Sequence, residues 1–258
     1  MQRVAALLSY DGTNFSGYQV QPSKRTVQLE LEQALTKLHK GEKIKVISSG
    51  RTDAGVHAKG QVIHFDTSLT IPANRWPNAI NACLPDDIFV HEVKPVAVDF
   101  HARYDTVGKE YRYQISLKRQ LDVFRRNFTY LIQQEVNTAE MELAAHYLIG
   151  RHDYSSFCAS NTDVKDKVRE VTAIELVKSG DELSLRFKGT GFLYNMVRIM
   201  VGTLLEVGYG KLESEDVAHI LAARDRTKAS KTAPAHGLYL WKVDYPNLVF
   251  DYYKNNES

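Results

Sequence analysis

The sequence predicts an α+β fold: two packed domains, each a mainly antiparallel sheet with helices on one face, with an active-site cleft between them. Three observations carry that expectation. Strand-like segments come in sequential pairs, single amphipathic helices interleave with them in each half, and no Pro/Gly/Ser-rich linker separates the halves, which meet near residue 105. The division is therefore 1–105 for an N-terminal domain and 106–258 for a C-terminal domain that completes the cleft.

In the first half the apolar run from Val4 to Ser9 reads as a buried strand, and the stretch Asp11 to Gly17 as turns. Thr26 is placed to cap a helix on which Val27, Leu31, Ala34, Leu35 and Leu38 share one face, and Gly41 ends it. Lys45 to Ser49 and Gln61 to Asp66 read as short strands separated by a polar, glycine-containing loop. A second helix is expected over Asn74 to Cys83, and a strand over Ile88 to Val93.

The second half continues with a strand from Glu110 to Leu117 and a helix from Thr138 to Ile149, stopped by Gly150. Arg169 to Val177 and Glu182 to Phe187 read as a hairpin around Ser179-Gly180-Asp181. A long apolar helix over Leu193 to Val207, a shorter one over Ser214 to Ala223, a basic loop and a strand from Leu238 to Val243 precede a frayed polar tail.

Bulk composition excludes several classes. With 258 residues, 43% hydrophobic and 25% charged, the chain can bury a sizeable core. No run reaches the roughly 18 apolar residues of a membrane span, and the N-terminus lacks a signal peptide's apolar region, so a cytoplasmic location is the expectation. The two cysteines, Cys83 and Cys158, form no C-x-x-C pair and signal neither a disulfide framework nor a zinc site. The net charge of +2 is unevenly spread: residues 101–130 hold seven Lys or Arg against three Asp or Glu, and residues 186–231 hold eight against five. Such clusters permit a basic cleft, although scattered solvated cations give the same counts.

The loop Ser48-Ser49-Gly50-Arg51-Thr52-Asp53-Ala54-Gly55-Val56-His57-Ala58 sets a carboxylate, a guanidinium and an imidazole among small residues between two strands. Small residues there let a ligand approach the chain closely. Chemistry alone leaves Asp53 open as a nucleophile, a general base, a metal ligand or a structural cap paired with Arg51.

Those residues carry a resemblance. Gly50 to Ala58 is similar to the signature loop of the tRNA pseudouridine synthase A family, and five further stretches follow in the family's order. They are Tyr10-Asp11-Gly12 with Gly17-Tyr18-Gln19-Val20-Gln21, the pair His101-Ala102-Arg103-Tyr104 and Lys109-Glu110-Tyr111-Arg112-Tyr113, Gly150 to Phe157, Gly191 to Arg198, and Ala233 to Leu240. Tyr18 departs from the pattern, standing where tryptophan is commoner.

The resemblance implies an isomerase that converts uridine to pseudouridine in the tRNA anticodon stem-loop, at tRNA positions 38, 39 and 40, with no cofactor and no metal. Uracil leaves the ribose at N1, turns and rejoins through C5. Asp53 is carried over as the catalytic aspartate, Tyr111 as the active-site tyrosine that can stack on uracil and help remove the C5 proton, and Arg198 as the guanidinium that holds the carboxylate ionised. Arg51 is similar to the family arginine that helps displace the target base, a step that costs a few kcal/mol of lost stacking. His57 is a candidate substrate-binding residue whose more economical role is a hydrogen bond that organises the loop. It is seven residues from His64, a spacing that argues against a shared metal. Lys118-Arg119, Arg125-Arg126, Lys165, Lys167, Arg169, Arg224, Arg226, Lys228 and Lys231 are candidate phosphate contacts.

The implied partner is tRNA, with no membrane, and the family forms homodimers. The competing readings are a catalytically inactive RNA-binding relative, against which the intact Arg51, Asp53, Tyr111 and Arg198 set speaks, and a carboxylate-dependent hydrolase or phosphotransferase. The latter calls for a phosphate-cradling glycine loop or an acidic metal cluster, and neither G-x-x-x-x-G-K-[ST] nor D-x-D occurs.

Overall fold

The computed structural model describes residues 1–118, 120–162 and 164–256. In chain order the elements begin with β1 (Gln2–Tyr10), α1 (Val27–Leu38), β2 (Ile47–Ser48), β3 (His57–Thr67), α2 (Trp76–Asn81) and β4 (Ile88–Val96). They continue with β5 (Gly108–Ser116), β6 (Tyr130–Leu131), α3 (Thr138–His146), β7 (Gly150–Asp153), β8 (Val168–Ser179), β9 (Glu182–Gly189), α4 (Met196–Gly208) and α5 (Asp216–Ala223). The chain closes with β10 (Leu238–Asp244) and α6 (Asp251–Asn256). Helices and mainly antiparallel strands are mixed along the chain, the α+β class the sequence predicts. The fold divides into two compact units: Met1–Val107 joined by Leu240–Ser258, and Gly108–Tyr239. The chain thus leaves its first unit and returns to it at the end, a long-range pairing that a linear division of the sequence does not reveal.

In the first unit the strands run in the order β4-β1-β3-β10, and β2 flanks β3. β1 pairs antiparallel with β3 from Gln2↔Thr67 to Tyr10↔Ala58, and with β4 from Arg3↔Val96 to Tyr10↔Ile88. Val4 to Leu8 are all essentially buried, because both faces of this central strand are covered. Helix α1 forms where Val27, Leu31, Ala34 and Leu35 make a buried stripe, with Glu30 in its first turn and Lys37 in its last, as the helix dipole favours. Thr26 occupies the N-cap, but its hydroxyl makes no cap bond and is buried with no partner among the described residues. α6 lies along β4: Lys94 donates to Asp251 Oδ2 at 2.8 Å and to the Val249 carbonyl at 2.7 Å, and Tyr252 stacks on His91 at 4.1 Å.

In the second unit the order is β5-β9-β8-β7, with β6 parallel to β5. The β8–β9 hairpin turns where expected, with Ser179 opposite Glu182. Tyr113 and Ile115 of β5 and Leu183, Leu185 and Phe187 of β9 share one fully buried face. The last part of α4 is nearly all apolar and packs against α3, where Gly208 leaves room for Met141. No helix among the described residues is long and apolar enough to cross a membrane.

Candidate active site

Strand β3 begins at His57, four residues before the expected Gln61, so Asp53 stands at the end of a loop that runs straight into the central sheet. Two backbone bonds tie the loop to the 11–18 turn: the Tyr18 amide donates to the Thr52 carbonyl at 3.0 Å, and the Gly55 amide to the Phe15 carbonyl at 3.3 Å. The Val56 amide closes a turn onto the Asp53 carbonyl at 3.1 Å. Close approach makes this geometry depend on glycine. A Cβ on Gly12 would lie 2.0 Å from the Val56 carbonyl oxygen, and Gly17, at φ +99°, would set one 3.0 Å from the Thr52 carbonyl oxygen.

Behind the loop lies a buried polar chain. Ser49 Oγ donates to Gln61 Oε1 at 2.6 Å, and Gln61 Nε2 donates to the Gly50 carbonyl at 2.8 Å and to Tyr10 Oη at 3.4 Å. Tyr10 Oη in turn meets Thr52 Oγ1 at 2.8 Å. The Tyr10, Ser49, Thr52 and Gln61 side chains sit 7% exposed or less, so Gly50 and Thr52, on either side of Arg51, are fixed by bonds that cost more to leave unmade than they yield when formed. Burial pushes the Tyr10 phenol up to about 12; the Thr52 and Gln61 hydrogen bonds oppose that shift, and the negative charge of Asp53 adds to it. The phenol therefore keeps its proton at neutral pH, accepts from Gln61 and shares a hydrogen bond with the Thr52 hydroxyl.

His57 is 1% exposed, and the Gly12 amide points at its Nδ1 at 3.0 Å. Asp11 Oδ1 lies 3.2 Å from the same nitrogen and is itself held by the Thr13 amide and hydroxyl. The ring joins the 11–13 turn to the foot of β3. Asp53 is half-buried, while Arg51 is exposed. The fold brings together Arg51, Asp53 and His57 in one loop of the first unit.

Tyr111 and Arg198 belong to the second unit. Tyr111, on β5 opposite Phe187, is 9% exposed, and the Phe192 ring meets its ring edge-on at 5.1 Å. Arg198 lies in the first turn of α4, where two contacts aim its guanidinium: Nε donates to the Ala233 carbonyl at 2.8 Å and Nη1 to Asn195 Oδ1 at 2.9 Å. Asn195 begins the helix at φ +59°, a conformation that asparagine tolerates better than most residues, and its side chain serves Arg198 instead of capping α4. The Ala233 amide also donates to the Arg198 carbonyl at 3.0 Å. This second strut passes close to Gly202, where a Cβ would fall 1.9 Å from the Lys231 carbonyl oxygen.

The basic residues divide by engagement. Arg125 forms a paired bond to Glu182 at 2.5 and 2.7 Å, and Arg226 donates to the Ala229 carbonyl, so both serve the fold. Lys118, Lys165, Lys228 and Lys231 are exposed, and Arg224 reaches Asp153 only at 3.6 Å. Arg119 lies outside the described residues. Among the described residues no group of three His, Cys, Asp or Glu could hold a metal. Sequence reasoning missed the polar support of the loop, Ser49, Gln61 and the Tyr10–Thr52 contact. Its one visible signal is Gln61, a glutamine at the head of an otherwise apolar run.

A family model described as tRNA pseudouridine synthase matches residues 6–105 and 144–246. A protein named tRNA pseudouridine synthase A from Bacillus pumilus is 55% identical over 246 residues, 95% of this chain and all of that relative. Its namesake from Halalkalibacterium halodurans is 56% identical over 96% of this chain and 94% of its own length. A third, from Bacillus subtilis, is 54% identical over 95% of this chain and all of its own.

Proposed function

Because this chain belongs to the tRNA pseudouridine synthase A family, a family of isomerases, we propose that it isomerises uridine to pseudouridine at positions 38, 39 and 40 of the tRNA anticodon stem-loop, with Asp53 as the catalytic group. The observation that carries the assignment of Asp53 is the construction of its loop: a half-buried carboxylate on a backbone fixed on both sides by buried hydrogen bonds. Fixed placement of the reacting group is what separates a catalytic carboxylate from a surface one.

In this reading the Asp53 carboxylate acts in its ionised form on the bound nucleotide. The bond from ribose C1′ to N1 of uracil breaks, the base turns, a bond from C1′ to C5 forms, the C5 proton leaves and N1 gains one. Atoms and charge balance without an oxidant or a phosphate donor. Tyr111 contributes a ring face to the uracil and an oxygen suited to receive the C5 proton. Arg198, aimed by Ala233 and Asn195, supplies the positive charge that keeps a desolvated carboxylate ionised. The exposure of Arg51 supports its reading as the cation that takes over contacts when the base leaves its stack. The buried His57, with its Nδ1 facing the Gly12 amide, supports a loop-organising role over one in acid–base chemistry. The exposed lysines of the second unit supply phosphate contacts, and the protein works as a cytoplasmic homodimer, as the family reading implies.

The test uses anticodon-arm tRNA carrying tritium at uridine C5. The protein, without added metal or cofactor, should release tritium to water in proportion to pseudouridine formed, and moving the uridines out of positions 38–40 should abolish release. Binding of the RNA with no release would favour the inactive relative.

A further inference from the structure

The segment His101 to Asp105 holds an aromatic ring where it contributes nothing to the core. Tyr104 is 77% exposed, yet its ring lies flat on His101, with centroids 4.2 Å apart and planes 24° from parallel. His101 is wedged against the buried His64 ring at 5.1 Å, so the pair has a rigid backing. The turn beneath is fixed throughout. The Arg103 and Tyr104 amides both donate to His101 Nδ1 at 3.2 Å, and the His101 amide donates to Asp105 Oδ2 at 2.7 Å. Ala102, fully buried, donates its amide to His64 Nδ1 at 3.0 Å, and its carbonyl accepts from Tyr245 Oη at 2.6 Å. Between these anchors Arg103 is exposed, and no described residue accepts from its guanidinium.

We propose that Tyr104 and Arg103 form a second RNA contact, in which the open face of Tyr104 stacks on an unpaired nucleobase of the tRNA and Arg103 meets the adjoining phosphate. This inference rests on the tRNA substrate proposed above. An immobilised aromatic face beside an available cation is what one unpaired nucleotide requires: a flat partner for the base and a positive charge for the backbone. Asp105, the nearest carboxylate in the turn, is occupied by the His101 amide and so leaves Arg103 to an outside anion. Prior immobilisation by His101 matters energetically, because the entropy of ordering the ring is lost on folding instead of on binding. The platform does not hold the target uridine. His64, which anchors it, is seven residues along β3 from His57 at the foot of the catalytic loop, about 23 Å of extended strand at 3.3 Å per residue. A contact so placed binds substrate and transition state alike, so it acts on KM and not on kcat.

Three variants test the proposal with full-length tRNA: Tyr104→Ala, Tyr104→Trp and Arg103→Gln. Tyr104→Ala should raise KM and the dissociation constant roughly fivefold to a hundredfold, the span of one lost base–aromatic stack, with kcat retained. Tyr104→Trp should keep the wild-type KM, and the emission of the introduced tryptophan should be quenched by tRNA but not by a fully paired RNA duplex. Arg103→Gln should reduce the slope of log Kd against log salt by about one. Wild-type KM for Tyr104→Ala, or emission unmoved by tRNA, would overturn the platform. The fluorescence measurement does not depend on turnover, so a wild-type protein that bound tRNA without releasing tritium would sink the catalytic reading and leave the platform to be judged by the quench.

Discussion

Gly12, beside the 48–58 loop, and His64, buried beneath the 101–105 turn, show what packing at a single position imposes on the chain. Gly12 must stay without a side chain, since a Cβ would lie 2.0 Å from the Val56 carbonyl oxygen, and a backbone atom cannot swing aside as a flexible side chain could. Gly12→Ala should therefore cost at least about 1–3 kcal/mol, the range for overpacking, and lower the melting temperature by several degrees, measured by calorimetry. His64 makes a different prediction. Burial first, then the nearby charges of Arg3 and His101, push its imidazole down to about 4 from the ordinary 6.5. Between those values the unfolded chain binds a proton that the folded ring refuses, so stability is fully present above pH 6.5 and is lost as pH falls toward 4. His91, half-buried and near Lys59, is likewise pushed down to about 4, by burial first, and adds to the same slope. His64→Asn keeps an acceptor for the Ala102 amide and removes the titration; melting temperature followed from pH 7 to 4 should fall less steeply in this variant than in the wild type. Equal slopes would contradict the assignment.

At the scale of elements, helix α4 and its neighbouring 231–233 segment act as one holder for Arg198. The guanidinium is aimed by Ala233 and Asn195, and Gly202 lets the segment sit against the helix. Gly202→Ala must push the Lys231 backbone outward, so kcat should drop at least tenfold even where a folded protein survives, because displacing a positioned charge by an ångström weakens what it stabilises. Single-turnover tritium release by the purified variant, beside its circular dichroism, checks this; an unchanged rate in a folded variant would count against the holder. Legibility from sequence also varied by element. Helix α1 and the β8–β9 hairpin were readable because local periodicity and turn chemistry decide them. Strand β3 starts at His57, earlier than His57-Ala58-Lys59-Gly60 would suggest, because Ala58 pairs with the distant Tyr10. β7 escaped notice for the same reason: its partner is β8, and Gly150 reads locally as a helix stop. The tail read as frayed forms α6, held by Lys94, Glu92 and His91 of β4, contacts that no local pattern encodes.

On the scale of the whole molecule, the site loop was legible as a motif, whereas its support was not: Gly50 to Ala58 announces chemistry in one line of sequence, and Ser49, Gln61, Tyr10 and Thr52 converge only through folding. Charge follows a similar rule. A net +2 says little, but the exposed Lys118, Lys165, Lys228 and Lys231 of the second unit and the exposed Arg103 of the first are the cations on which the proposed RNA contact depends, and salt response tests them together. tRNA affinity should fall steeply with ionic strength, by at least tenfold between 50 and 200 mM salt if about two or more phosphates are engaged; a flat response in filter binding would contradict that footprint. The most direct measurement compares wild type and Asp53→Ala on the same C5-tritiated tRNA, recording release and binding in parallel. The wild type should release tritium and Asp53→Ala none, with dissociation constants within about threefold of each other, because the lost carboxylate acts on the reacting bonds and not on the RNA backbone. Release by Asp53→Ala at the wild-type rate would contradict the catalytic role of Asp53.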